Sequence, residues 1–352
     1  MQLGLTDSLP ALVAKRFTAA KEGSHLIFSH THLAIVRAGG ISYQLRYCPA
    51  LAKKPSSSPK TDQDRSGPRF DPFENPSQEL LITQIPREDP THMLVLNKYP
   101  VIPNHFILAT KAWKLQTDIL EKEDLDAAYA CVKAWRDREA DKEDGPSKPK
   151  RRLFAFFNSG DESGASQPHR HLQFLPVEAM AESQGDSELW QPLIDSLPSQ
   201  PVGPDSELRR LTQLPFAHFA LPLPQNPSAD ALHAIYLSLY RAAVSTVKGS
   251  LGDHAHVTDG PAAVSYNLAM TESMMVICPR KSECARVPVD PAVSQDVEEA
   301  GMIALNGTIL AGTLMVKAEA EWNEIRRNPE ILTNILGTVG YAQPDFRGLA
   351  LL

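Results

Sequence analysis

The stretch from Asn158 to Pro176, Asn-Ser-Gly-Asp-Glu-Ser-Gly-Ala-Ser-Gln-Pro-His-Arg-His-Leu-Gln-Phe-Leu-Pro, constrains this chain more than any other. Its first part is a loop rich in Gly and Ser, in which backbone N–H groups can converge on phosphate oxygens because few side chains stand in the way. Its second part alternates. His169, His171 and Gln173 are two residues apart, so on a strand all three share one face, while Leu172 and Phe174 point to the other. The fold must therefore hold a strand with one face in a core and the opposite face beside an anion cradle. Two imidazoles and an amide in that setting read as a nucleophile site for phosphoryl or nucleotidyl transfer. His30-Thr31-His32 and His254-Ala255-His256 repeat the spacing without the loop, and read as ordinary core or surface residues.

Charge makes any phosphate recognition local. Lys and Arg number 35 against 42 Asp and Glu, a formal net charge of −7. That balance gives no global field for DNA or RNA, so a nucleic-acid partner is not expected. No run of about 18 apolar residues occurs, so no membrane span is expected. The N-terminus lacks the basic start and apolar run of a secretory signal. Cys48, Cys131, Cys278 and Cys284 then read as reduced thiols in a cytoplasmic or nuclear compartment, not as a disulfide framework. No C-x-x-C is present, and His169 and His171 lack further ligands, so no metal site is assigned.

With 352 residues and 29 prolines, against a usual proline share of about 5%, many irregular connections are expected. Residues 53–69 and 136–152 read as mobile loops, being rich in charge, Ser, Pro and Gly. Strands are expected at Met93–Leu96, Phe106–Ala109, Leu153–Phe157 and Leu172–Val177, with a hairpin at Ala263–Met270 and Met274–Cys278. Leu125, Ala128, Tyr129 and Val132 recur at helical spacing behind an acidic first turn. Leu232, Ile235, Tyr236, Leu239 and Tyr240 form a second helical face, with Ser228 as its N-cap. Val293–Lys317 and Glu319–Arg327 also read as helices. Strands and helices without strict βαβ alternation argue for an α+β fold, and a strand pair with a helix in each half suggests an internal duplication.

At these residues the sequence resembles the fungal-type diadenosine tetraphosphate (Ap4A) phosphorylases, or ATP adenylyltransferases, of the transferase branch of the histidine-triad superfamily. The pieces that carry the resemblance are Cys48-Pro49-Ala50-Leu51-Ala52-Lys53-Lys54-Pro55, Asp71-Pro72-Phe73, Leu96-Asn97-Lys98-Tyr99-Pro100 with Pro103-Asn104-His105, the 158–173 segment, and Ser265–Thr271 through Pro279-Arg280. The resemblance implies a mostly antiparallel sheet with flanking helices in one catalytic domain over 1–352. Residues 1–180 would bear the catalytic strand, and 210–325 would complete the nucleotide pocket. It implies His171 as the nucleophile that becomes adenylylated, His169 as the group orienting it, and Gln173 in place of the third histidine of the hydrolases. It further implies substrate contacts from Lys54, Asn97, Lys98, Asn158, Gly164, Ala165, Ser166, Gln167, Asn267, Thr271, Met275 and Arg280. One departure is visible: Met274 stands where the family commonly has an aromatic before Met275.

The implied reaction is phosphorolysis of Ap4A to ATP and ADP through an adenylyl-histidine. No tightly bound cofactor is expected, only Mg²⁺ arriving with the nucleotide; the other partner is inorganic phosphate, and the chain is expected to be a monomer. A hexose-1-phosphate uridylyltransferase shares H-x-H-x-Q but usually carries Cys and His zinc ligands. A dinucleoside polyphosphate hydrolase is disfavoured by Gln173, because an amide cannot change protonation state. A non-catalytic nucleotide sensor is the remaining alternative.

Overall fold

The computed structural model describes residues 1–50, 70–136, 151–181, 190–198, 207–289 and 301–344. Its centre is one eight-stranded, wholly antiparallel sheet. The strands are β3 (Leu81–Ile85), β4 (His92–Leu96), β5 (Phe106–Thr110), β6 (Leu153–Ser159), β7 (His171–Pro176), β8 (Phe219–Pro222), β9 (Tyr266–Met270) and β10 (Met274–Pro279). They lie in the order β3-β4-β5-β7-β6-β9-β10-β8. The two halves of the chain meet where β6 pairs with β9, Asn158 opposite Asn267. The α+β, mainly antiparallel expectation is what the chain adopts.

One face of this sheet is closed by helices. These are α1 (Leu9–Glu22), α2 (Lys122–Trp135) and α4 (Ala229–Lys248); the short α3 (Val177–Ala181) follows β7 and packs on the other face. Helix α2 starts at a capping box in which Glu121 and Asp124 exchange bonds with each other's backbone, removing two orphan donors. Ser228 caps α4 by accepting from the Ala231 N–H at 3.1 Å, as its sequence position suggested. Leu125, Ala128, Leu232, Tyr236 and Leu239 meet Leu172, Phe174, Leu268 and Met275 in a single apolar layer. Burial of that layer is the main stabilising contribution, at roughly 25 cal/mol per Å².

The opposite face is divided. Over β6, β9 and β10 it is covered by a small sheet of β1 (His32–Ala38), β2 (Ile41–Tyr47) and β13 (Thr313–Val316), with helices α5 (Glu319–Arg327) and α6 (Ile331–Val339). Phe154, Phe156, Leu175, Ala269 and Val276 pack there. Over β4 and β5, among the described residues, Phe73 packs with Met93, Val95 and Ala109, and Leu80, Leu81 and Ile107 are partly buried against them.

One expectation is corrected. The described part of the expected Val293–Lys317 helix, from 301 onward, is instead β12 (Met302–Ala304), paired with β11 (Cys284–Arg286), then a 3-10 turn (Gly307–Ala311) and β13. Asn306 caps that turn through Thr308 N–H, and β13 joins β2 in parallel, so strand pairing outweighed the local helical pattern. The turn packs on β6 and β9, where a longer helix would not fit. Helices α1 and α6 and strands β1–β3 were not anticipated. Lys54, nearly all of 53–69 and 136–152, and 290–300 lie outside the described residues. Among the described residues no helix is long and apolar enough to cross a membrane.

Candidate active site

His171 opens β7, with Ala109 of β5 opposite it. Its ring is buried, and its Nδ1 lies 2.8 Å from the carbonyl oxygen of His169. A carbonyl can only accept, so Nδ1 carries the proton and Nε2 keeps its lone pair. Burial lowers the imidazole pKa to about 4, the largest cause being loss of hydration. The ring is thus neutral near pH 7, with one nitrogen free to attack.

His169 is held on both sides. Its Nε2 lies 3.0 Å from Thr110 Oγ1, whose own proton is donated to Ala112 O at 2.8 Å. His169 must therefore donate through Nε2. Its Nδ1 lies 2.7 Å from Asp71 Oδ2, an ionic hydrogen bond nearly removed from solvent. With its ring fixed, the His169 carbonyl that orients His171 is fixed too. Phe73 packs on both imidazoles, at 5.7 Å from the His169 ring and 5.1 Å from the His171 ring. Trp113 covers His169 from the other side at 5.0 Å.

Arg170, between the two histidines, faces the helices. Its guanidinium donates to Glu121 at 2.9 Å and to Asp124 at 2.8 Å, and His92 bonds the second Asp124 oxygen at 3.0 Å. Burial alone would raise the Asp124 pKa, but the His92 hydrogen bond and the Arg170 charge hold it below the usual carboxylate value. The motif is thereby pinned to the start of α2 while its two histidines face the site.

Gln173 is oriented by a chain of hydrogen bonds. The Tyr99 N–H donates to Asn97 Oδ1 at 2.8 Å, which leaves Asn97 Nδ2 to donate to His105 Nδ1 at 3.1 Å. His105 then donates through Nε2 to Gln173 Oε1 at 3.1 Å. With its oxygen taken, Gln173 presents its NH₂ group, a donor suited to a phosphate oxygen. Asn104 reaches His105 through a φ of +60°, a conformation Asn tolerates better than most residues.

The loop after β6 is clamped from the second half of the chain. Asn158 Oδ1 accepts from Asn267 Nδ2 and from the Gly307 N–H, both at 2.9 Å. A Cβ on Gly307 would lie 2.8 Å from that oxygen, so the approach requires glycine. Asn267 also donates to Ser163 O at 2.9 Å. Gly164 has φ +78°, and a Cβ there would lie 2.9 Å from Leu305 O. Among the described residues the backbone N–H groups of Ala165, Ser166 and Gln167 have no partner. Successive unpaired amides of this kind can form an anion-binding nest.

Placement separates the remaining candidates. Asn97, Asn158, Gln173 and Asn267 share the sheet face of His171, and the 164–167 loop follows the strand that carries Asn158. Lys98 is exposed beside them, its Nζ 5.8 Å from the Tyr99 ring centre. Arg280, expected to touch the nucleotide, is instead a buried scaffold. Its guanidinium donates to Asn267 Oδ1 and to the carbonyls of Ser282, Leu305 and Val339. Met275 is fully buried in the helix-side layer, on the sheet face opposite the His171 side chain, because neighbouring strand residues alternate faces. Thr271 lies four residues along β9 from Asn267, about 13 Å away. It lines a separate cavity of about 350 Å³ with Arg136, Arg151 and Arg152.

Asp71, Phe73, Thr110, Trp113 and Gln116 were assigned no role from the sequence. Asp71, Phe73 and His105 fall in segments that carry the family resemblance, which was the available signal. Thr110 ends β5, and Trp113 and Gln116 sit in the loop after it, with no periodicity to mark them. Among the described residues no group of three His, Cys, Asp or Glu could hold a metal ion.

A neutral imidazole with a free nitrogen, set beside unpaired amides on an open antiparallel sheet, defines a transferase of phosphate-linked groups. Sequence models agree: the Ap4A phosphorylase N-terminal domain matches residues 3–189, and the ATP adenylyltransferase C-terminal domain matches residues 212–342. The chain is 26% identical, over 96% of each sequence, to diadenosine 5′,5′′′-P1,P4-tetraphosphate phosphorylase 2 of Saccharomyces cerevisiae. It is also 26% identical over 96% of each to Protein APA1 of that yeast. The crystal structure of yeast Ap4A phosphorylase Apa2 matches with a TM-score of 0.74 at 26% identity, covering 97% of this chain and all of that one. Apa2 in complex with Ap4A matches with a TM-score of 0.75. The chain belongs to the Ap4A phosphorylase family of nucleotidyltransferases.

Proposed function

We propose that this chain cleaves Ap4A by phosphorolysis, releasing ATP and ADP through an adenylyl group carried on His171. The observation that carries the reading is the pairing of His171 Nδ1–H with the His169 carbonyl, which leaves Nε2 unprotonated beside the 165–167 amides. In the first step the Nε2 lone pair forms a bond to an α-phosphorus and the P–O bond to the remaining nucleotide breaks, releasing ATP. Positive charge develops on the imidazole as the N–P bond forms, and the His169 carbonyl accepting from Nδ1 stabilises it. In the second step an oxygen of inorganic phosphate attacks the phosphorus, the N–P bond breaks, its electron pair returns to Nε2, and ADP leaves.

Gln173 takes part without moving a proton. Its NH₂ group donates to a non-bridging phosphate oxygen, while its oxygen stays on His105. It cannot deprotonate water as an imidazole could, which favours an acceptor that is already anionic. Asn97 and Lys98 are candidate contacts to the nucleoside and phosphates, and Lys54 is a candidate phosphate contact outside the described residues. The polyphosphate is expected to arrive with Mg²⁺, which offsets the negative charge that the amides alone do not. A cytoplasmic enzyme is our reading of the cysteine usage, and a monomer is the default we take.

Incubation with Ap4A and labelled inorganic phosphate tests the reaction. Label is expected in ADP, with ATP formed in equal amount. Production of ATP and AMP, or of two ADP, without phosphate and without label would indicate a hydrolase instead.

A further inference from the structure

The strands bearing His171 and Asn158 part company where the chemistry sits. The β6–β7 ladder runs from Leu153 opposite Pro176 to Phe156 opposite Gln173, and stops. Asn158 and His171 are the next in-phase pair, yet they are not paired to each other. Each remains bound to its outer neighbour, Asn158 to Asn267 and His171 to Ala109. The gap is filled by one side chain from the loop after β5. Gln116 Oε1 accepts from the His171 N–H at 2.7 Å. Its Nε2 donates to Asn158 O at 2.8 Å and to His171 O at 3.1 Å. The Gln116 backbone is anchored in turn, its N–H donating to Pro168 O at 2.8 Å, and the residue is 2% exposed.

A side-chain amide has the donor and acceptor of a peptide group, so Gln116 replaces the missing rung while holding the strands further apart than direct pairing at about 4.8 Å would. We propose that Gln116 is a positioning residue for adenylyl transfer. It ties the backbone of the nucleophile to the first residue of the phosphate loop, and so sets the spacing between His171 Nε2 and the 165–167 amides. It touches neither the reacting nitrogen nor the substrate. Its effect is to let both parts of the site address the same phosphorus, and it rests on the adenylyl-histidine reading above. Displacement of a reacting group by about 1 Å can cost about 100-fold in rate, which is the scale expected here.

The test is single-turnover formation of adenylyl-enzyme from radiolabelled Ap4A, beside equilibrium binding of Ap4A to each protein. Gln116→Met, similar in volume but unable to bridge, is expected to form the intermediate about 100-fold more slowly. Its Kd for Ap4A should stay within about threefold of the unaltered protein. Gln116→Glu supplies a signature that simple loss of packing would not. As a carboxylate it faces the Asn158 and His171 carbonyl oxygens and repels them. As a neutral acid it accepts from His171 N–H and donates to Asn158 O. Its rate relative to the unaltered protein should therefore rise as pH falls from about 8 to about 5.5, through the range of a buried carboxyl. A rate for Gln116→Met within about twofold of normal, a loss confined to Kd, or a flat relative rate for Gln116→Glu would each overturn the proposal. If Gln116→Met fails to fold, the Glu variant alone decides. Label absent from the unaltered protein would instead overturn the adenylyl-histidine reading and this proposal with it.

Discussion

The two halves of the chain contribute unequally to one site. The first half supplies the groups that we propose react or touch substrate: His171, Gln173, and the amides after Gly164. The second half supplies Asn267, Gly307 and Arg280, which are buried and whose bonds run inward to Asn158 and to backbone carbonyls. Both halves lie in the same sheet, joined at β6 and β9. A polar residue near a site therefore acts either on the substrate or on the residues that hold the substrate. Arg280 resembles a phosphate ligand in sequence, but with its donors already engaged it belongs to the second kind.

The largest expected effect separates the halves most sharply. His171→Ala should lower adenylyl transfer by at least about 10³-fold, measured as labelled enzyme, with a melting temperature close to normal. Retention of more than a few per cent of activity would place the nucleophile elsewhere. Arg280→Met should do the reverse. It leaves Asn267 Oδ1 and several buried carbonyls without a donor, so unfolding free energy should drop by about 3 kcal/mol in denaturant titration. An unchanged stability together with a salt-dependent rise in KM would restore Arg280 as a direct phosphate contact and erase the contrast.

A smaller effect probes orientation within the first half. His105→Phe frees Gln173 Oε1, so the amide can present oxygen instead of nitrogen to the phosphate. The AMP released relative to ADP, at constant phosphate, is expected to rise about tenfold, equivalent to losing one hydrogen bond of about 1.4 kcal/mol. Equal slowing of both products would show that the amide orientation does not govern the choice of acceptor.

The smallest effect is a pH dependence that both halves share. His171 in the first half and His218 in the second are each lowered to about 4, chiefly by burial. In both, the unfolded chain, with an ordinary pKa of about 6.5, binds the proton more readily than the folded one. Stability is therefore greatest above about pH 6.5 and declines as pH falls toward 4. Between pH 7 and pH 5.5 each histidine should cost about 1 kcal/mol, read from denaturant midpoints. His171→Ala should remove its share of the slope and leave that of His218. Over the same interval the rate of adenylylation should stay nearly constant, because the folded His171 remains neutral until about pH 4.

What the sequence determined by itself was the alternation and its chemistry. His169, His171 and Gln173 share a face because strand geometry leaves no other choice, and Leu172 and Phe174 fill the core behind them. Ser228 capping α4 and the acidic start of α2 were legible for the same reason, since a cap involves residues within one turn. Family resemblance brought Asp71 and His105 into view without roles. Tertiary structure alone decided those roles, through bonds between residues far apart in the chain: Asp71 to His169, His105 to Gln173, and Gln116 to both His171 and Asn158. It also turned Met275 to the helix side and converted the expected helix near Gly307 into a turn and a strand. Periodicity reports how a residue faces its own element. Which element comes to face it is settled by strand order and by the demand that every buried polar group find a partner.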